Sequence, residues 1–94
     1  MSEKINLDGK EFAGYRIDTG HTALLLIKGK SGFLGCGYIN VEVADRVGDA
    51  AVIVSGVKTF DDMYAAKVVK VSKQAVELGV REGMTGREAL AHLG

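Results

Sequence analysis

Two short apolar runs, Ala23–Ile27 and Ala50–Val54, most constrain what this chain can fold into. Each run is five residues long and is followed within two positions by a glycine. A membrane-spanning helix needs about 20 apolar residues, whereas runs of this length between turn residues are typical of buried strands. The sequence therefore predicts a sheet with two apolar strands, the first of them covered on both faces.

Alternating polar and apolar residues predict two further strands ahead of the first apolar run. Residues 4–8 form the first strand, and Asp8-Gly9 then suits a two-residue hairpin turn because both residues tolerate a positive φ. The second strand is expected over residues 11–18, with a bulge at Gly14, where the alternation slips. We expect a partner chain to cover the sheet edge that these strands create.

In residues 29–94, short strands alternate with short helices. A glycine-rich strand is expected over residues 33–39, and further strands over 49–55 and 67–71. Helices are predicted to begin after four residues whose side chains can accept hydrogen bonds from the first helical turn: Asn40, Thr59, Ser72 and Thr85. Thr85 and Glu88 have the spacing of a capping box.

Residues 40–47 also suit a strand, because Val41 and Val43 are β-branched and alternate with polar residues. A short helix is the preferred interpretation, since Asn40 suits its start and Gly48 its end.

These elements together predict an α+β fold. We expect a two-layer sandwich, in which a β-rich N-terminal meander is followed by alternating strands and short helices. The predicted organisation is a single domain over residues 1–94, with a β-rich oligomerisation region at 1–28 and a mixed α/β part at 29–94.

The charges of the chain cancel, with 12 basic and 12 acidic residues and six of each sign in residues 1–47. Nucleic-acid-binding proteins usually carry a clustered basic stripe, so this class is disfavoured. Cys36 is the only cysteine, which excludes an intrachain disulfide and suits a reducing compartment. The charged N-terminus does not resemble a signal peptide. We expect a cytoplasmic protein without a membrane or nucleic-acid partner.

Gly29-Lys30-Ser31 matches the end of a phosphate-binding loop, but the rest of that motif is absent. Leu24 stands where the motif requires its first glycine, and a strand rather than a helix is expected to follow. The segment is therefore interpreted as a hairpin turn.

Gly56-Val57-Lys58-Thr59 lies where a strand is expected to lead into a helix. Free amides at a helix start attract anions, and Lys58 adds a positive charge there. Thr59 is expected to cap the helix, and this junction is a candidate anion site.

Gly35, Gly37 and Asn40 belong to a second candidate junction. If the strands over 33–39 and 49–55 are parallel neighbours, both end at the same edge of the sheet, where ligands commonly bind. Glycines there would let a ligand approach the backbone closely. For the two glycines themselves, however, the preferred interpretation is that they permit tight packing of strands or subunits.

Cys36 is a candidate nucleophile or redox thiol, although the sequence places no base beside it. The two histidines, His21 and His92, lie in an expected turn and in the last helix. The preferred interpretation of Cys36 is a small buried apolar residue in mid-strand. One cysteine and two distant histidines do not have metal-ligand spacing, so no metal and no cofactor is predicted.

Three segments, at residues 32–40, 56–63 and 83–90, resemble in matching order the YunC-like family of small bacterial and archaeal proteins, a domain of unknown function. The resemblance spans nearly the whole chain. It implies an α+β domain whose β-rich N-terminal region helps to build a tetramer, and it implies no catalytic residues.

Three functions remain open. The preferred hypothesis is a small homo-oligomeric domain that binds a small anionic ligand or a partner at the strand–helix junctions, through Gly35, Gly37, Asn40, Gly56, Lys58 and Thr59. One alternative is an enzyme that uses Cys36. The other is a purely structural subunit that interacts with other proteins.

Overall fold

The computed structural model describes residues 2–94, so that only the first residue of the predicted β-rich region lies outside it. The strands are β1 (Ser2–Leu7), β2 (Lys10–Asp18), β3 (Ala23–Lys28), β4 (Phe33–Gly35), β5 (Ala51–Ile53) and β6 (Lys70–Val71). The helices are α1 (Val41–Val47), α2 (Phe60–Ala65), α3 (Lys73–Glu77) and α4 (Gly86–Leu90). Over residues 2–94, no helix has the length and apolar character needed to cross a membrane. The predicted α+β class is confirmed.

All six strands belong to one sheet, in the order β1-β2-β3-β4-β5-β6. Every neighbouring pair is antiparallel except β4 and β5, which are parallel and are connected through α1. The carboxyl ends of β4 and β5 therefore lie at the same end of the sheet, as the sequence predicts. Strand β3 runs the opposite way, so its first residues lie at that end too.

One face of the sheet carries the main hydrophobic core. Its buried strand residues are Ile5, Phe12, Leu25, Ile27, Leu34 and Val52. Helices α2 and α4 contact each other, and α4 contacts β4, so Met63 and Leu90 close this core. Burial of one such side chain contributes about 1.5–3 kcal/mol. The sheet and these helices form the two predicted layers.

Helix α1 covers only part of the opposite face. Ala51 and Ile53 point to that face and are buried, and α1, whose Ala44 is buried, contacts β5. On β2 the same face is open to solvent, where Tyr15 and Ile17 are 38% and 56% exposed.

The prediction that β3 is covered on both faces is wrong. Burial alternates along the strand: Leu25 and Ile27 are buried, whereas Leu24 and Leu26 are half-buried on the open face. An apolar run therefore does not guarantee a cover on both sides, because the cover depends on where the helices pack.

The bulge predicted at Gly14 is also wrong, since both β1 and β3 pair with β2 in an uninterrupted register through this residue. Gly14 faces the core, and the ring of Phe60 from α2 fills the space above it. A Cβ at Gly14 would lie 2.9 Å from Phe60 Cζ. The break in the apolar alternation at Gly14 therefore reflects a contact between α2 and the sheet and not the extra residue of a β-bulge.

Strand β4 ends at Gly35, well before the predicted end at residue 39. The chain then turns, and the Ile39 N–H donates to the Cys36 carbonyl at 3.1 Å. A Cβ at Gly35 would lie 2.7 Å from Ile39 Cγ1, so the turn folds closely over the strand end. Cys36 therefore lies just after the strand, which corrects the prediction that it lies in mid-strand.

The predicted turn and helix ends form. Asp8 and Gly9 have positive φ values of 53° and 82° in the β1–β2 hairpin. The side chains that accept hydrogen bonds from first-turn amides of α1 to α4 are Asn40, Thr59, Ser72 and Thr85. Gly48 ends α1 in the left-handed region, with φ 86°. Residues 41–47 are thus a helix and not a strand, which confirms the preferred interpretation.

The capping box of α4 makes stability depend on pH. The Thr85 backbone N–H donates to Glu88 Oε1 at 2.9 Å, and hydrogen bonding to Thr85 holds the pKa of Glu88 below its usual value. A carboxyl whose pKa is lower in the folded state stabilises the fold above its unfolded-state pKa, and this contribution disappears as pH falls through the folded-state pKa. We expect Glu88→Gln to flatten the acid side of the curve of unfolding free energy against pH.

Urea unfolding at a series of pH values measures this effect. Glu82→Gln is the matched control, because Glu82 is an exposed carboxylate outside the capping box. A Glu88→Gln curve that parallels the wild-type curve throughout the acid range would contradict the prediction.

Candidate functional site

A cleft of about 320 Å³ opens at the end of the sheet where β4 and β5 finish. Three segments line it: the start of β3, the turn after β4 and the loop after β5. The lining residues are Thr22, Ala23, Cys36, Gly37, Tyr38, Gly56, Val57 and Lys58. The cleft forms because the parallel pair and the antiparallel β3 bring these segments to one end of the sheet.

Three of the six predicted ligand residues line this cleft: Gly37, Gly56 and Lys58. Gly37 is open to approach, since a Cβ there would contact only Ser55 Cβ, at 4.0 Å. Gly56 has a φ of 71°, which glycine adopts without strain. The two glycines therefore shape the turn and the loop that face each other across the cleft.

The other three predicted residues have local structural roles. Gly35 lies within β4 under Ile39. Asn40 Oδ1 accepts a hydrogen bond from the Glu42 amide at 2.8 Å, and Thr59 Oγ1 accepts one from the Asp62 amide at 3.0 Å. The side chains of Asn40 and Thr59 are thus engaged as helix caps.

The backbone of Lys58 is hydrogen-bonded on both sides, whereas its side chain has no hydrogen-bond or ion-pair partner within residues 2–94. Its amide donates to Asp62 Oδ2 at 3.0 Å, and its carbonyl accepts a hydrogen bond from Arg16 Nη1 at 2.9 Å. Within residues 2–94, the Lys58 ammonium forms neither an ion pair nor a hydrogen bond. Because Asp61 and Asp62 in the first turn of α2 offset the positive end of this short helix, positive charge near this junction comes from the side chains of Lys58 and Arg16.

Four residues that line the cleft have backbone amides without a partner in residues 2–94. In the described part of the chain, the amides of Gly37, Tyr38, Gly56 and Val57 take part in no hydrogen bond. All four residues line the cleft. The fold thus leaves these four amides to solvent.

Cys36 lines the cleft but is only 4% exposed. Its Sγ accepts a hydrogen bond from the Leu25 amide at 3.3 Å. His92 packs at Gly79 in the C-terminal part of the chain, and His21 lines the neighbouring cavity. Across residues 2–94, no group of three or more metal-ligating side chains occurs. The surroundings of Cys36 fit a small buried residue.

A second cavity of about 430 Å³ adjoins the cleft. The residues that line it are Arg16, Asp18, Gly20, His21, Thr22, Ala23 and Lys58, and the last three also line the cleft. Arg16 Nε lies 3.2 Å from Asp18 Oδ1. The two cavities thus lie side by side and share the three residues Thr22, Ala23 and Lys58.

Sequence reasoning missed Thr22, Ala23 and Tyr38. Tyr38 is 56% exposed, and its hydroxyl donates to Thr19 Oγ1 at 3.2 Å, which ties the ring to the β2–β3 turn. An aromatic residue next to Gly37 was a usable signal. The contribution of β3 depends on an antiparallel neighbour, which local patterns do not reveal.

The Gly29-Lys30-Ser31 segment is a hairpin turn, as the sequence predicts. The Gly29 amide donates to the Gly32 carbonyl at 2.8 Å, and the Ser31 amide donates to the Leu93 carbonyl at 2.9 Å. These amides are therefore not available to a phosphate group. The turn joins β3 to β4 at the end of the sheet opposite the cleft.

Comparisons with other proteins agree with the sequence resemblance. A family model described as "Domain of unknown function (DUF1805)" matches residues 35–93. The uncharacterized protein YunC of Bacillus subtilis (strain 168) is 27% identical over 90 residues, which cover 92% of this chain and 89% of that protein. The crystal structure of TA1206, a protein of unknown function from Thermoplasma acidophilum, matches with a TM-score of 0.95 and 42% identity, covering 100% of this chain and 92% of that one.

Proposed function

We propose that this chain, which belongs to the DUF1805 family of unknown function, binds a small anionic ligand in the cleft beyond β4 and β5. The YunC-like resemblance of its sequence is confirmed. One observation carries the proposal: Lys58 lines the cleft, and its ammonium has no partner within residues 2–94.

The size and the donors of the cleft support a ligand of metabolite size. Pockets for small molecules are commonly about 300–1,000 Å³ and combine apolar walls with a few polar groups. The buried residues Ala23 and Val57 line this cleft, and so do Gly37 and Gly56, whose amides form no hydrogen bond within residues 2–94. An anion at Lys58 gains a charge-assisted hydrogen bond, which is stronger than a neutral one.

Titration followed by amide NMR tests this proposal. We expect a nucleoside monophosphate or a sugar phosphate to shift the amide signals of Gly37, Tyr38, Gly56 and Val57. Lys58→Ala should weaken binding about tenfold or more, because a hydrogen bond to a charged group contributes about 1.5–3 kcal/mol.

Lys30→Ala is the matched control, since Lys30 is an exposed lysine in the turn at the opposite end of the sheet. It should bind as the wild type does. The proposal fails if neither probe shifts the cleft amides, or if Lys58→Ala and Lys30→Ala have the same affinity.

We also propose that the β-rich region at residues 1–28 mediates self-association in a cytoplasmic protein. Tyr15 and Ile17 are exposed on the open face of the sheet, and β1 forms a six-residue edge. Exposed edges and apolar faces are commonly covered by a partner. The YunC-like resemblance implies a tetramer, and a reducing compartment suits the single cysteine.

A further inference from the structure

The second cavity is lined mainly by charged and polar residues and the first cleft mainly by apolar ones, and this difference restricts the chemical class of the ligand. The second cavity contains the cationic side chains of Arg16 and Lys58, the imidazole of His21 and one carboxylate, Asp18. Two cationic residues and one acidic residue therefore line this cavity. An anionic group is the complement of this cavity.

The guanidinium of Arg16 is held in place before any ligand binds. Its Nε contacts Asp18 Oδ1 at 3.2 Å, and its Nη1 donates to the Lys58 carbonyl at 2.9 Å. In the described residues, Nη2 has no partner. A fixed guanidinium with a free edge suits an anion with several oxygens, because it loses little side-chain freedom on binding.

The first cleft is mainly apolar. Ala23, Cys36 and Val57 are buried residues in its wall, and Tyr38 stands at its rim with the hydroxyl tied to Thr19. A tethered ring offers a flat surface on which a planar apolar group can stack. This cleft complements the uncharged body of a ligand better than its charged group.

We infer that the ligand is an amphipathic phosphate monoester. Its phosphate lies in the second cavity among Arg16, His21 and Lys58, and its planar apolar body lies in the cleft against Tyr38. A phosphate provides three acceptor oxygens and a charge of about −1.5 to −2 for these donors. This inference rests on the proposed anion-binding function and assigns its ligand class.

Isothermal titration with three probes tests the inference: phenyl phosphate, inorganic phosphate and benzoate. We expect phenyl phosphate to bind at least about tenfold more tightly than the other two, because it alone combines the phosphate with an aromatic body. Tyr38→Ala should lower the affinity for phenyl phosphate about fivefold and leave that for inorganic phosphate unchanged. His21→Ala should weaken both phosphates.

A different titration result contradicts each part of the inference. Equal affinities for phenyl phosphate and inorganic phosphate would overturn the apolar half of the inference and leave anion binding intact. Benzoate that binds as tightly as phenyl phosphate would overturn the phosphate assignment alone. Absence of binding by all three probes, together with unshifted cleft amides in the NMR titration, would overturn the proposed function itself.

Discussion

Gly86→Ala is expected to lower the free energy of unfolding by about 3 kcal/mol, the upper end of the usual cost of overpacking. Gly86 is the first residue of α4, where it donates its amide to the Ala66 carbonyl at 2.8 Å. A Cβ at this position would overlap the Met63 carbonyl oxygen and lie 3.1 Å from Leu34 Cδ2. The carbonyl belongs to the backbone of α2, so it cannot move aside as a flexible side chain would.

The expected destabilisation has the opposite sign to the change that helix propensity predicts, so the sign of the measured difference distinguishes the two effects. Alanine is favoured over glycine inside a helix by about 0.5–1 kcal/mol, so propensity alone predicts stabilisation. A loss of about 3 kcal/mol is a large share of the 5–15 kcal/mol that is typical of small domains. Equilibrium urea unfolding followed by circular dichroism measures the difference.

Gly37→Ala is the matched control for this substitution. A Cβ at Gly37 would meet only Ser55 Cβ at 4.0 Å, and Gly37 does not have a positive φ. We expect a change within about 0.5 kcal/mol, as for most surface substitutions. Equal stabilities of the two variants would show that the close approach of α4 to α2 does not limit stability.

Ile17→Lys is expected to convert the proposed homo-oligomer into a monomer of 10.0 kDa. Ile17 is 56% exposed on the open face of β2 and pairs across the strands with Leu24. A lysine there keeps the monomer fold, because the position borders solvent in a single chain. In an assembled interface, however, the buried ammonium carries a large desolvation penalty.

Light scattering coupled to size-exclusion chromatography measures the mass. The wild-type protein should have a mass near four times 10.0 kDa, as the tetramer implied by the resemblance requires. Val69→Lys is the matched control, since Val69 is 44% exposed and lies next to β6, at the other side of the sheet. A wild-type mass of 10.0 kDa, or the same oligomer in Ile17→Lys, would refute self-association through this face.

Part of the candidate site was predictable because its geometry follows from strand order. The site was predicted on the condition that the strands expected over residues 33–39 and 49–55 are parallel neighbours, and β4 and β5 are parallel. Lys58 was found because it stands just after the second strand. The cavity around Arg16 and His21 was not predictable, since it depends on how the β2–β3 turn packs beside Lys58.

The sequence by itself determined the local structure of this protein. Asp8-Gly9 forms its turn, and Asn40 and Gly48 mark the ends of α1. These features depend on φ preferences and on hydrogen bonds between residues a few positions apart, so a short stretch of sequence contains all the groups involved.

Only the tertiary structure decided what lies above each glycine and over each face of the sheet. Ile5 and Phe60 occupy the space that a Cβ at Gly14 would need, and a Cβ at Gly86 would overlap the Met63 carbonyl. The open face of β3, which carries Leu24 and Leu26, stays partly exposed because α1 packs over β5 and not over β3. Such contacts join residues far apart in the chain, and packing in three dimensions, not any local preference, selects the partner that fills each space.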